Sequence, residues 1–236
     1  MKTEGMIYGI GVGIGDPEDI TLKAARCIKE SDVLILPSDD PEKCRAYQIA
    51  KKAVPEIKDI DILPLEFKMV RDEGLRAKNH RIIYETVKKL VLEKKVVSFL
   101  TIGDPSLYST YSYIAALAHK DGIRTQAVSG VSSITACANR LGITLCDAGT
   151  QLHVIPDTED IESMLDLSGT KVLMKCGGSL SVIKEKLTDK NVSLWAVENC
   201  GLPEERCYRS IDELPDSGGY MLTVIVKEEG KKEGVK

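Results

Sequence analysis

Aromatic side chains are scarce in this chain: one Trp and two Phe stand among 236 residues. That argues against a stacking platform for nucleic-acid bases. Charge of one sign is missing too. Lys and Arg total 32 against 36 Asp and Glu, a net charge of −4, so nothing global points to nucleic acid or an anionic membrane. No apolar run approaches the ~20 residues that a membrane helix needs. The seven cysteines (Cys27, Cys44, Cys137, Cys146, Cys176, Cys200 and Cys207) are odd in number and include no Cys-x-x-Cys pair. A disulfide framework and a structural zinc site are therefore disfavoured, and free thiols in a reducing compartment are expected. No leader pattern precedes the first strand-like run, so the expectation is a cytoplasmic, soluble chain. His80, His119 and His153 are scattered, and a lone histidine is more often structural than catalytic.

What the chain does have is an alternation of apolar runs and helical patterns. "MIYGIGVG" reads as a buried strand. Asp16 then looks like an N-cap, with Pro17 at the first helical position and Glu18 and Asp19 in the first turn. Ile20, Ala24, Cys27 and Ile28 share one helical face. "DVLILP" is the next strand, and a helix is expected over "CRAYQIAKKAV". "DIDILPLEF" is extended. A long helix runs from about Leu75 to Glu93, "VVSFLTIG" is a fully buried strand, and Gly122 ends a further helix. Strands at "RTQAVSG", "QLHVIP", "TKVLMKCGG", "SLWAVEN" and "GGYMLTVIVK", with helices between most of them, continue the pattern. The prediction is an α/β fold with mainly parallel sheets in two domains, 1–124 and 125–236.

"YGIGVGIGDPEDIT" poses a test. A dinucleotide turn needs Gly-x-Gly-x-x-Gly. Counting from Gly9, the sixth position is Ile14; counting from Gly11, it is Asp16. Both frames fail, although Asp39 and Asp40 after the second strand could mimic a ribose-binding acid. Gly9, Gly11, Gly13 and Gly15 alternate and so share one face, leaving a groove for another backbone or a flat ligand. These residues alone leave open a tight packed turn, a nucleotide-like ligand or a dinucleotide.

Further small-residue turns follow other strands: Gly103-Asp104-Pro105, Gly130 with Ser132 and Ser133, "LMKCGGS" and "VENCGLPEE". Ligands collect at the carboxyl ends of strands in open α/β sheets. Gly103 lets a backbone come close, and Asp104 can accept hydrogen bonds from a sugar or an amine. Taken singly, each turn reads as a tight turn. Taken together, they suggest one ligand gripped mostly by backbone groups.

In combination these turns resemble the tetrapyrrole methylase family, over about residues 5 to 227. The stretches that carry the likeness are "GVGIGDPEDITLKAARCIKESDVLILP", Gly103 to Pro105 and Gly130 to Ser133. Ile14 departs from the Pro that many members have there. Within the family, "LPLEFKMVRDEG", "GDPSLYSTYSYI" and "LMK" resemble the branch that methylates C-20 of precorrin-2 or cobalt-factor II. The resemblance implies a two-domain tetrapyrrole methylase fold, S-adenosyl-L-methionine in the cleft between the domains, and a homodimer. It implies cofactor contacts at Ile102, Gly103, Asp104, Leu107, Ser132, Ser133, Met174, Lys175, Cys176 and Cys200, with Tyr108, Ser109 and Thr110 lining the same cleft.

Such a site needs no nucleophile from the protein. A sulfonium methyl donor is already electrophilic, so the task is to hold donor and acceptor carbon in line and to exclude water. No catalytic base can be picked out. The acceptor carries carboxylates, and Lys68, Arg71, Arg76, Lys78 and Arg81 form a basic stretch that could meet them, Arg71 first. A solvated helix face explains the same charges. Other acceptors on the same fold stay open, namely uroporphyrinogen III, a modified histidine or RNA. A nicotinamide-dependent oxidoreductase and a non-catalytic cofactor-binding module also remain.

Overall fold

A computed structural model describes residues 4–67, 72–156 and 161–228. The chain divides into two compact units, Met1–Ser132 and Ser133–Lys236. The division falls later than the expected 124/125 because the strand Thr125–Val128 pairs with the first strand of the chain. Arg71 and Lys68 lie outside the described residues.

The first unit holds β1 (Met6–Gly11), α1 (Leu22–Lys29), β2 (Val33–Leu36), α2 (Arg45–Ala53), β3 (Asp61–Pro64), α3 (Glu73–Leu92), β4 (Val96–Thr101), α4 (Tyr111–Lys120) and β5 (Thr125–Val128). Its sheet runs β3-β2-β4-β1-β5 and is wholly parallel. A parallel sheet must be covered on both faces, and the apolar residues sort accordingly. Leu34 and Leu36 of β2 join Ala24, Cys27, Ile28, Ile49 and Ala50 of α1 and α2. Val33 and Ile35 join Ile83, Val87 and Ile114 of α3 and α4. The period of two in β2 thus feeds two separate cores. The helices that follow β1 and β4 pack on opposite faces, which makes the ends of these neighbouring strands the switch point of the sheet, where ligands collect in α/β folds.

The first helix begins later than its capping residues suggest. Asp16 does cap, accepting from Glu18 N at 2.9 Å, but what it starts is a 3₁₀ turn, Pro17–Asp19. Thr21 then caps α1 through Ala24 N at 3.1 Å.

The second unit holds α5 (Ser133–Leu141), β6 (Leu152–Pro156), α6 (Ile161–Leu165), β7 (Thr170–Met174), α7 (Leu180–Leu187), β8 (Val192–Glu198), β9 (Arg206–Tyr208) and β10 (Leu222–Glu228). Its sheet runs β6-β7-β10-β8-β9. Only β6 and β7 pair in parallel; β10 lies antiparallel between β7 and β8, and β9 antiparallel on β8. The βα alternation lapses after β8, where no helix separates the last three strands, so they run as an antiparallel set. No helix of the described residues is long and apolar enough to cross a membrane.

Candidate functional site

In the first unit the exits of β1, β4 and β5 converge on three glycines. Gly103 N donates to Gly13 O at 2.8 Å, a lone antiparallel bridge between the β1 and β4 exits. A Cβ on Gly11 would stand 2.4 Å from Gly103 O and 2.7 Å from Gly130 N. A Cβ on Gly130 would stand 2.3 Å from Gly103 O and 2.7 Å from Gly11 C. Gly11 and Gly130 therefore exist so that three backbones can touch. Gly9 is filled as well, because the Tyr111 ring lies where its side chain would be, 2.4 Å from the Cβ position. The groove expected along the β1 glycines is occupied by protein at both positions. Gly103 differs. It takes a left-handed backbone (φ 73°), and a Cβ there would meet nothing nearer than the Ile14 side chain at 4.0 Å. Of these three glycines, it alone could carry a Cβ without a clash.

Asp104 locks this junction. Its Oδ1 accepts from Ser106 N at 2.8 Å and from Ser106 Oγ at 2.5 Å, and its Oδ2 accepts from Gly130 N at 3.1 Å. The Ser129 hydroxyl also hydrogen-bonds the carboxylate. Burial pushes this carboxyl up, but the four donors outweigh it and hold it below the usual carboxylate range. Four donors use the roughly four lone-pair sites of a carboxylate. The expectation that Asp104 would accept from a sugar or an amine is thus met inside the chain, and what Asp104 can offer a ligand is backbone.

The remaining residues of this loop divide the same way. Ile102 is half-buried and packs on the α1–α2 core. Leu107 N donates to Asp104 O. Ser109 is buried; its hydroxyl meets Thr101 Oγ1 at 3.1 Å and accepts from Tyr111 N at 3.2 Å, so it anchors the start of α4. Thr110 is the residue before that helix and makes no side-chain cap. Tyr108 is exposed and left-handed at φ 50°. Bulky residues persist in that conformation only where their surroundings hold them, and such positions gather at functional sites. Ser132 closes the first unit, and Ser133 opens α5 in the second.

In the second unit, the start of β10 ties two further turns together. Lys175 N donates to Leu222 O at 3.2 Å, and Asn199 N donates to Met221 O at 3.1 Å. The Met174–Cys176 turn and the Cys200 turn thus flank the same end of one strand. Lys175 and Asn199 are both left-handed, at φ 61° and 52°. Lys175 Nζ lies 5.1 Å from the Tyr220 ring centroid. Cys176 and Cys200 are buried. Cys176 Sγ turns back to Leu173 O at 3.8 Å, and Cys200 hydrogen-bonds the Cys137 thiol. With those side chains turned inward, these turns can present backbone to a ligand.

Sequence reasoning missed the acids that brace these turns. Glu198 accepts from Gly219 N at 2.6 Å, and Glu205 accepts from Gly201 N at 2.8 Å. Glu205 falls inside the quoted "VENCGLPEE", where a carboxylate four residues past a glycine was the available signal. The histidines are accounted for. His80 is buried and stacks on Tyr113 at 4.4 Å, with burial pushing its pKa down. His119 Nε2 pairs with Thr125 Oγ1, and His153 Nε2 with Ser168 O. Asp40 is used locally, accepting from Glu42 N at 3.0 Å. Of the basic stretch, Arg76 pairs with Glu73 at 3.4 Å, and Lys78 and Arg81 are exposed on α3. Among the described residues, no group of three or more His, Cys, Asp or Glu is placed to hold a metal ion.

The thiols give a direct check on this arrangement. Cys207 is exposed and Cys146 half-buried, while the other five are buried. Titration of the native protein with an aromatic disulfide reagent should modify Cys207 first and Cys146 more slowly. Cys27, Cys44, Cys137, Cys176 and Cys200 should react only in denaturant. Prompt reaction of more than two thiols would contradict the inward-facing Cys176 and Cys200.

A family model described as "Tetrapyrrole (Corrin/Porphyrin) Methylases" matches residues 6–215. A Methanocaldococcus jannaschii protein named "Probable cobalt-precorrin-2 C(20)-methyltransferase" is 36% identical over 184 residues, covering 76% of this chain and 77% of its own. The "Cobalt-precorrin-2 C(20)-methyltransferase" of Salmonella typhimurium is 28% identical over 95% of this chain and 97% of its own. The "Precorrin-2 C(20)-methyltransferase" of a Sinorhizobium species is 25% identical, with 78% of each chain covered. Among solved structures, a cobalt precorrin-4 methyltransferase superposes with a TM-score of 0.74 at 18% identity over 94% of both chains. A uroporphyrin-III C-methyl transferase from Thermus thermophilus, complexed with S-adenyl homocysteine, superposes with 0.68 at 20% identity, over 95% of this chain and 98% of that one.

Proposed function

Because this chain belongs to the tetrapyrrole (corrin/porphyrin) methylases, we propose that it transfers a methyl group from S-adenosyl-L-methionine to C-20 of cobalt-precorrin-2 in cobalamin biosynthesis. The observation that carries the reading is the 36% identity, over three quarters of both chains, to a protein named for that reaction. The cobalt-bearing acceptor is favoured over the metal-free one because the two relatives named for it are 36% and 28% identical, against 25% for the one named for precorrin-2.

The residues fit a donor held by backbone. Gly103 has room at its Cβ position, where the nearest atom belongs to the Ile14 side chain at 4.0 Å. Cys176 and Cys200 put their thiols into the protein interior. S-adenosyl-L-methionine, when bound, supplies an electrophilic methyl group. The chain's part is to orient and to exclude water. Ile102, Gly103 and Asp104 offer peptide groups at the β4 exit, joined by Leu107, Tyr108, Ser109 and Thr110 of the same loop. The same reading assigns donor contacts to Ser132 and Ser133 and to the peptide groups of Met174, Lys175, Cys176 and Cys200. Ser109 serves by fixing the loop, since its hydroxyl is already engaged by Thr101 and Tyr111 N. Arg71 is assigned to a substrate carboxylate. A homodimer and a cytoplasmic location belong to the same reading.

The test is mass spectrometry of an anaerobic assay with S-adenosyl-L-methionine and either cobalt-precorrin-2 or metal-free precorrin-2. A gain of one methyl on the cobalt form is expected, with little or none on the metal-free form. Gain on the metal-free form alone would overturn the choice of acceptor. No gain on either, from protein shown to bind S-adenosylhomocysteine, would overturn the C-20 assignment.

A further inference from the structure

The turn after β8 is bent into left-handed backbone twice, at Asn199 (φ 52°) and Gly201 (φ 76°). A glycine takes this conformation freely, but Asn199 must be held in it by its surroundings. Asn199 is held by β10 through Met221 O at 3.1 Å. Cys200 is held from the interior, where its thiol meets Cys137 of α5. Gly201 is held by a side chain, its N–H donating to Glu205 Oε2 at 2.8 Å, while Leu202 N–H closes the turn on Asn199 O at 3.0 Å.

Glu205 is unusually well fixed for a loop carboxylate. Its side chain is only 14% exposed. Its other oxygen accepts from Arg140 Nε of α5 at 2.5 Å, and Cys207 Sγ lies 3.9 Å from the same oxygen. Burial pushes the carboxyl up, but the Gly201 and Arg140 donors prevail and keep it below the usual range, so it is charged at neutral pH. Charge-assisted bonds of this kind are among the stronger ones in proteins. One carboxylate therefore links helix α5 to the turn at Gly201.

We propose that Glu205 is a positioning residue for the methyl donor, holding the Asn199–Gly201 turn in its bent shape while Arg140 fixes the carboxylate from α5. The inference rests on the reading above, in which the Cys200 turn contacts S-adenosyl-L-methionine. Glu205 acts on the donor only through the turn, so its loss should weaken donor binding and spare the chemical step. Glu205→Gln keeps an acceptor oxygen for Gly201 N–H but gives up the charge that Arg140 meets, so it should rescue in part.

The experiment measures S-adenosylhomocysteine binding by calorimetry, kcat, KM for each substrate and Tm. It uses the full chain, Glu205→Ala, Glu205→Gln and Arg140→Ala. Glu205→Ala should raise the KM for S-adenosyl-L-methionine and the Kd for S-adenosylhomocysteine about tenfold. Its kcat should stay within about twofold, with the tetrapyrrole KM unchanged. Glu205→Gln and Arg140→Ala should each raise them about threefold. A Glu205→Ala protein with wild-type KM and Kd, or a loss confined to kcat, would overturn the proposal whatever happens to Tm. If Glu205→Ala fails to fold, Glu205→Gln decides, and an unchanged KM there overturns it equally. Wild-type protein that does not bind S-adenosylhomocysteine would instead remove the cofactor reading, and this inference with it.

Discussion

Gly130→Ala should cost the protein about 3 kcal/mol or more, at the upper end of what overpacking does. Its Tm should fall by roughly 6–12 °C. The added methyl would lie 2.3 Å from Gly103 O and 2.7 Å from Gly11 C. Both are backbone atoms, and they belong to the exits of neighbouring strands, so no rotamer change can relieve the contact. The control is Gly103→Ala. There the methyl has space, and the penalty is the left-handed backbone alone, about 1–2 kcal/mol. The two substitutions should separate cleanly. Gly130→Ala should lower Tm more, whereas Gly103→Ala should raise the KM for S-adenosyl-L-methionine more, because it fills the space the donor would approach. Thermal melts and steady-state kinetics on both variants check this. Equal loss of Tm would mean that the three exits are not packed as described.

Asp104→Ala is the second large effect. It strands Gly130 N and the Ser106 donors, and should cost about 2 kcal/mol at pH 7, or roughly 4–8 °C in Tm. Asp104→Asn should do little better, since its NH₂ would face N–H and O–H donors where an acceptor is needed. The pH dependence has a definite sign. Asp104 is held below the usual range in the folded chain, while the unfolded value is about 3.9. The carboxylate's contribution is therefore complete above about pH 4 and is lost as pH falls through the folded value. Urea unfolding at pH 7 and at pH 3 should show a wide gap between wild type and Asp104→Ala at the first and a narrower gap at the second. A gap that does not change with pH would mean that the carboxylate's charge contributes nothing to the latch.

Local pattern carried much of the fold into view. The run "VVSFLT" is a central strand because every residue from Val97 to Thr101 is buried, and the long helix stands within two residues of its expected limits. Strand β9 was not visible: Arg206–Tyr208 is three residues long, without a buried face, and exists because β8 offers an edge. The place of β10 between β7 and β8 was equally hidden, since nothing local tells a strand which neighbours it will have. The glycine run shows the same limit at the candidate site. Its alternation correctly marks one face, but the occupant of Gly9 is a ring from Tyr111, and the occupants of Gly11 come from Gly103 and Gly130. Asp104 was legible as an acceptor. Its donor Gly130 lies 26 residues away, so which partner satisfies it could be read only from the folded chain.

The order of strands in the first sheet also has a consequence for synthesis. Met6 pairs with Val96, and Ile7 pairs with both Val97 and Thr125. The second strand of the sheet from one edge is therefore the earliest made, and it has no hydrogen-bonding partner until β4 emerges from the ribosome. At roughly 5–20 residues per second, that interval lasts on the order of 5–20 s. During it "MIYGIG" is a nascent, apolar segment with both edges open, which is the condition that recruits chaperones or promotes misassembly. Codon usage between β1 and β4 is thus a lever on yield, through the time this strand spends alone.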